Sequence, residues 1–102
     1  MMTKEEAMKY LSDAAYEQSF WVNNGPVLKN VEELGSALAQ MSDYTYNYHA
    51  NKQKNDFSRW VNDVVGDQKL ANDLLSSKNK ESAVKKVQNR LNSLKKKTGN
   101  FN

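Results

Sequence analysis

The stretch N-D-F-S-R-W-V-N-D-V-V-G-D, Asn55 to Asp67, gathers two aromatics, three aspartates, an arginine and a glycine into thirteen residues. It reads either as carboxylates collected for a metal or a proton, or as a helix displaying its packing. Phe57, Trp60, Val61 and Val64 follow the i, i+3, i+4, i+7 spacing of a buried helical stripe. Asp56, Arg59 and Asp63 flank that stripe, and the Asp56–Arg59 and Arg59–Asp63 spacings suit ion pairs worth ~0.2–0.5 kcal/mol each on an exposed helix. Asp56 and Asp63 lie about 10 Å apart along the axis at a rise of ~1.5 Å per residue, too far to share one ion. Nor does D-V-V-G-D supply the alternating oxygens and closing glutamate of a calcium loop. The stretch is therefore a helix capped by Asn55 or Asp56, ended by Gly66 in the left-handed conformation, and followed by a helix capped by Asp67.

Working outward, the same signals recur. Thr3 and Glu6 form a capping box before Ala7, Met8, Leu11, Ala14 and Ala15. Phe20-Trp21-Val22, then Asn24-Gly25, then Val27-Leu28 predict a short β-hairpin over 19–29. Asn30 opens a helix bearing Val31, Leu34, Leu38 and Met41. Ser42 or Asp43 opens D-Y-T-Y-N-Y-H-A-N, and Asp67 opens a helix with Leu70, Ala71, Leu74 and Leu75. Asn79 to Lys97 forms the last helix, with Val84, Val87, Leu91 and Leu94 along one side. The expectation is a mainly α fold, a compact bundle of five or six short helices with one small hairpin. Residues 1–97 make a single domain and 98–102 a flexible tail.

Composition narrows the function classes. The 102 residues contain no cysteine and one histidine, which excludes disulfides, thiolate metal sites and multi-histidine sites. The N-terminus lacks the apolar segment of a secretory signal, and no run of about 18 apolar residues spans a membrane, so a soluble cytoplasmic protein is expected. The net charge of +3 conceals an asymmetry. Residues 1–77 carry seven Lys/Arg against eleven Asp/Glu, whereas 78–102 carry eight against one.

Three features are candidates for function. Lys80, Lys85, Lys86, Arg90, Lys95, Lys96 and Lys97 surround the apolar stripe of the last helix, a surface able to neutralise phosphates without reading sequence. Anionic lipid is a weaker fit. Against nucleic acid stand the scarcity of arginine, the lack of interleaved aromatics, and the helix dipole, which alone favours cations there. On the hairpin, Phe20 and Val22 share one face and Trp21 takes the other, so Trp21 either meets solvent or a partner, or is itself the buried residue, or is covered by Tyr16 or the tail. Among the alternating tyrosines, Tyr44 and Tyr48 are expected inward and Tyr46 outward, which pairs Tyr46 with Trp21 as a partner contact. No spacing supplies a nucleophile–base pair, a metal set or a phosphate loop, so no catalytic residue and no cofactor is expected.

The order F-W-V-N-N-G-P-V-L-K-N-V-E-E-L-G, Y-N-Y-H and N-D-F-S-R-W-V-N-D-V-V-G-D-Q-K-L-A resembles a small uncharacterised helical domain family of archaea and bacteria. The resemblance covers about residues 17–95 and rests on Phe20, Gly25, Leu34, His49, Asn55, Asp56, Phe57, Trp60, Asp63, Gly66 and Asp67. It implies a single domain and no known activity. It also brings His49 together with Asn55 and Asp56, suggesting a polar lock in which the imidazole fixes the turn to the next helix. The resulting expectation is a non-catalytic module binding a protein partner, with a small basic nucleic-acid-binding protein as the alternative.

Overall fold

In the computed structural model, which describes residues 2–99, chain order is α1 (Lys4–Leu11), β1 (Phe20–Trp21), β2 (Val27–Leu28), α2 (Val31–Gln40), α3 (Asp43–His49), α4 (Asp56–Trp60), α5 (Gln68–Leu75) and α6 (Lys80–Thr98). This is a mainly α-helical bundle of six short helices with one antiparallel hairpin. Each helix begins where a side-chain oxygen accepts a free backbone N–H. Thr3, Asn30, Ser42, Asn55, Asp67 and Asn79 do this in turn, and Glu6 closes the capping box onto the Thr3 amide.

α1 is shorter than its periodicity suggests. Ser12 ends it, and the Ala14 amide instead donates to the Lys29 carbonyl (2.7 Å), drawing the chain alongside β2 before a single 3-10 turn at Tyr16–Gln18. Phe20 pairs with Leu28 and Trp21 with Val27. The turn is displaced by one residue from an Asn24-Gly25 centre. Asn24 takes the left-handed conformation (φ 55°), and Gly25 is required because a Cβ there would stand 2.8 Å from Val22 Cγ1.

The core is built on α2 and α6, where Val31, Leu34 and Leu38 meet Ala83, Val87 and Leu91. Gly35 allows the approach, since a Cβ would lie 3.1 Å from Val87. Beside it, Phe20 and Tyr46 stack on Phe57 at ring separations of 5.2 and 5.6 Å, and Trp60 donates from its indole N–H to the Gln18 carbonyl (2.8 Å).

The stretch Asn55–Asp67 departs from regular helix in one respect. Residues Val61–Val65 form a π-helical turn, closed by the Gly66 amide on the Val61 carbonyl (2.7 Å). The wider turn shifts the apolar stripe by one residue, so Val65 is buried and Val64 is only half-buried. Gly66 (φ 84°) ends the turn as expected. α5 buries Leu70, Ala71 and Leu74 but leaves Leu75 exposed. α6 runs through Thr98, one residue past the expected boundary, and Gly99 (φ 75°) caps it. The remainder of the expected tail, 100–102, lies outside the described residues.

Candidate functional site

The hairpin separates its faces as strand alternation requires. Phe20 and Val22 are buried, whereas Trp21 is 55% exposed. Tyr16 meets Trp21 edge to face at 5.6 Å and is itself exposed, and Val27 stands opposite Trp21 in the pair. These three side chains make a small apolar surface on the outside of the hairpin. Tyr46 does not join it. Tyr46 and His49 of α3 and its cap residue Ala50, at i, i+3 and i+4, turn into the core, and Tyr46 is only 5% exposed. Tyr44 and Tyr48 take the solvent side, so the expected orientation of the tyrosines is reversed. Burial, and after it the nearby Glu81 carboxylate, raise the pKa of the Tyr46 hydroxyl.

His49 forms a lock with two arms. The Asn23 backbone N–H donates to Nε2 (3.0 Å), which leaves Nδ1 to carry the proton and donate to Asp56 Oδ2 (3.0 Å). Phe20 and Phe57 flank the ring. The imidazole thus joins the hairpin turn to the first turn of α4. Lys54 Nζ also donates to Asp56 Oδ2 (3.0 Å). Partial burial pushes the Asp56 carboxyl up, but the hydrogen bonds from His49 and Lys54 outweigh it and hold the group below its ordinary value. Asn55 works on a different partner. It caps α4 and donates from Nδ2 to the Leu74 carbonyl (3.1 Å) at the end of α5. Of the two expected ion pairs on α4, Arg59–Asp63 is present at 3.7 Å, while Asp56 is directed to His49 and Lys54.

The cations of α6 do not form one free face. Arg90 is the largest correction: its guanidinium grips Asp67 with Nε to Oδ2 at 2.7 Å and Nη2 to Oδ1 at 2.9 Å. The two side chains are 11% and 1% exposed. Arg90 is therefore an internal clamp between α6 and the start of α5, unable to reach a phosphate. Lys80 donates to the Met41 carbonyl (2.8 Å), Lys86 to the Asp73 carbonyl (3.3 Å), and Lys95 pairs with Glu32 (3.2 Å). Lys85, Lys96 and Lys97 remain solvent-facing. The sequence holds a clue to this division. On the helical wheel Lys80, seven residues before Val87, falls on the apolar stripe, and Arg90, three after Val87 and four before Leu94, borders it.

Surface clefts are shallow, and the one between the α3–α4 and α5–α6 connections encloses about 410 Å³. Among the described residues no group of three or more His, Cys, Asp or Glu could hold a metal ion. No helix among them is long and apolar enough to cross a membrane. In comparison with known proteins, no family model matches the chain, and neither does any curated protein or solved structure.

Proposed function

We propose that this domain is a non-catalytic cytoplasmic binding module whose protein partner docks on the outer face of the hairpin. The observation that carries the reading is the exposure of Trp21 beside Tyr16 and Val27. Tryptophan and tyrosine dominate the energetics of protein contacts because they offer large, stiff, partly polar surfaces. The hairpin that presents them is held from beneath by Phe20 and by the His49–Asn23 bond, so the surface is preorganised. The positions on which the resemblance to an uncharacterised helical family rests are, apart from the exposed Asp63, core, cap, turn or lock residues.

Trp21→Ala tests the proposal. The variant is expected to keep the wild-type stability within about 0.5 kcal/mol, as surface substitutions do. Affinity capture from native extract, compared by quantitative mass spectrometry, should lose the proteins that wild type retains. Equal capture by both forms would rule out the hairpin as the contact surface.

A further inference from the structure

A second surface has a different chemistry. Tyr44, Asn47 and Tyr48 recur at i, i+3 and i+4 along α3, Asn51 follows just past its C-cap Ala50, and all four are exposed. Tyr44 is 76% and Tyr48 50% exposed, although an inward-facing pattern is open to them. The two residues stand one helical turn apart, about 6 Å of rise along the axis. The cleft beside this stripe is lined by Asn47 and Asn51 and receives Lys52 and Lys54 from one wall and Lys78 from the other. Lys54 Nζ stands 5.1 Å from the centre of the Tyr48 ring, so the aromatic stripe and the cationic cleft are contiguous.

No carboxylate lines the cleft. Of the acids nearest in sequence, Asp56 holds Lys54 (3.0 Å), Asp73 faces Lys69 (2.8 Å), Asp43 lies 3.9 Å from Lys80, and Glu81 acts on Tyr46 in the cleft wall. Cations without lining acids, adjacent amide side chains, and exposed aromatics at one-turn spacing are what an unpaired polynucleotide strand requires. Lysines neutralise its phosphates, amides bond base edges, and tyrosine faces stack on bases that a duplex would hide. An acidic peptide would use the lysines but gain little from the rings. We infer that the α3 face and its lysine-lined cleft bind single-stranded nucleic acid, with Tyr44 and Tyr48 as stacking platforms and Lys52 and Lys78 as phosphate contacts, Lys54 being held by Asp56. This surface is separate from the hairpin and from α6.

Fluorescence anisotropy with labelled oligo(dT) and oligo(rU) tests the inference. Binding should weaken with salt at a log–log slope of about 1.4, as expected for two phosphates on a single strand. Tyr44→Ala and Tyr48→Ala should each weaken it by about fivefold to a hundredfold, with unchanged circular dichroism melts. The pair Lys52→Glu/Lys78→Glu should abolish binding, whereas Lys85→Glu/Lys96→Glu on α6 and Trp21→Ala should leave it intact. Absence of binding at low salt would overturn the inference. So would tyrosine variants that bind like wild type, loss of binding in the α6 pair, or equally good competition by duplex DNA, a mononucleotide or polyglutamate.

Discussion

Replacing Arg90 by methionine isolates the strongest electrostatic contact in the bundle. Arg90 makes two charge-assisted bonds to Asp67, whose carboxylate is almost fully removed from solvent. Breaking one side of such a pair typically costs about 3–5 kcal/mol, because the remaining charge is left buried. Asp67 retains one compensating donor, the Leu70 amide at 3.2 Å, which places the expected loss near the lower end, about 3 kcal/mol. For a domain of this size that lowers the melting temperature by roughly 12–24 °C. Urea unfolding followed by circular dichroism measures it, with Lys85→Met as a surface control. The double variant Asp67→Asn/Arg90→Met should recover about 1–3 kcal/mol relative to the sum of the single losses, since the buried charge is gone and the amide oxygen can still cap α5. If Arg90→Met lies within about 0.5 kcal/mol of Lys85→Met, the clamp does not exist as described.

Other perturbations probe different parts of the same framework. His49→Phe keeps an aromatic ring, larger than the imidazole, but strands the Asn23 N–H and removes a donor from Asp56; a cost of about 2 kcal/mol is expected, and a wild-type melting temperature would refute the lock. Asp56 has a folded-state pKa below its unfolded value, so its contribution is complete above that unfolded value, near pH 4, and is lost as pH falls through the folded one. Melting temperature measured against pH should therefore fall less steeply on the acid side in Asp56→Asn than in wild type. Gly66→Ala forces a side chain into the left-handed region and should cost about 1–2 kcal/mol in chemical denaturation.

Local chemistry makes the helix starts legible in the sequence alone. The polar residues at 3, 30, 42, 55, 67 and 79 each have one obvious task, and each performs it. The alternation of the hairpin is equally legible, but which face is buried is decided by what packs beneath it, since Phe20 stacks on Phe57. Tyr46 resists such a reading because a seven-residue helix with tyrosines two apart has two nearly equivalent apolar phases. The choice between them is made by His49, whose partners Asn23 and Asp56 come from elsewhere in the chain. The Arg90–Asp67 pair is hidden for the same reason: its members are 23 residues apart, and each has a sufficient local explanation. The α3 cleft is not legible either, since Lys52, Lys54 and Lys78 converge only when two loops meet.

The π-helical turn at Val61–Val65 also sets a rule for length variation in this chain. It holds one residue more than an α-helical path from Trp60 to Gly66 would use. Deleting a residue there would let the turn close as ordinary α-helix, because a π turn spends its extra residue within about one revolution. Gly66 and Asp67 would keep close to their present phase, and Asp67 would stay within reach of Arg90. The segment is therefore a place where the chain can take one residue more or fewer without re-aiming α5.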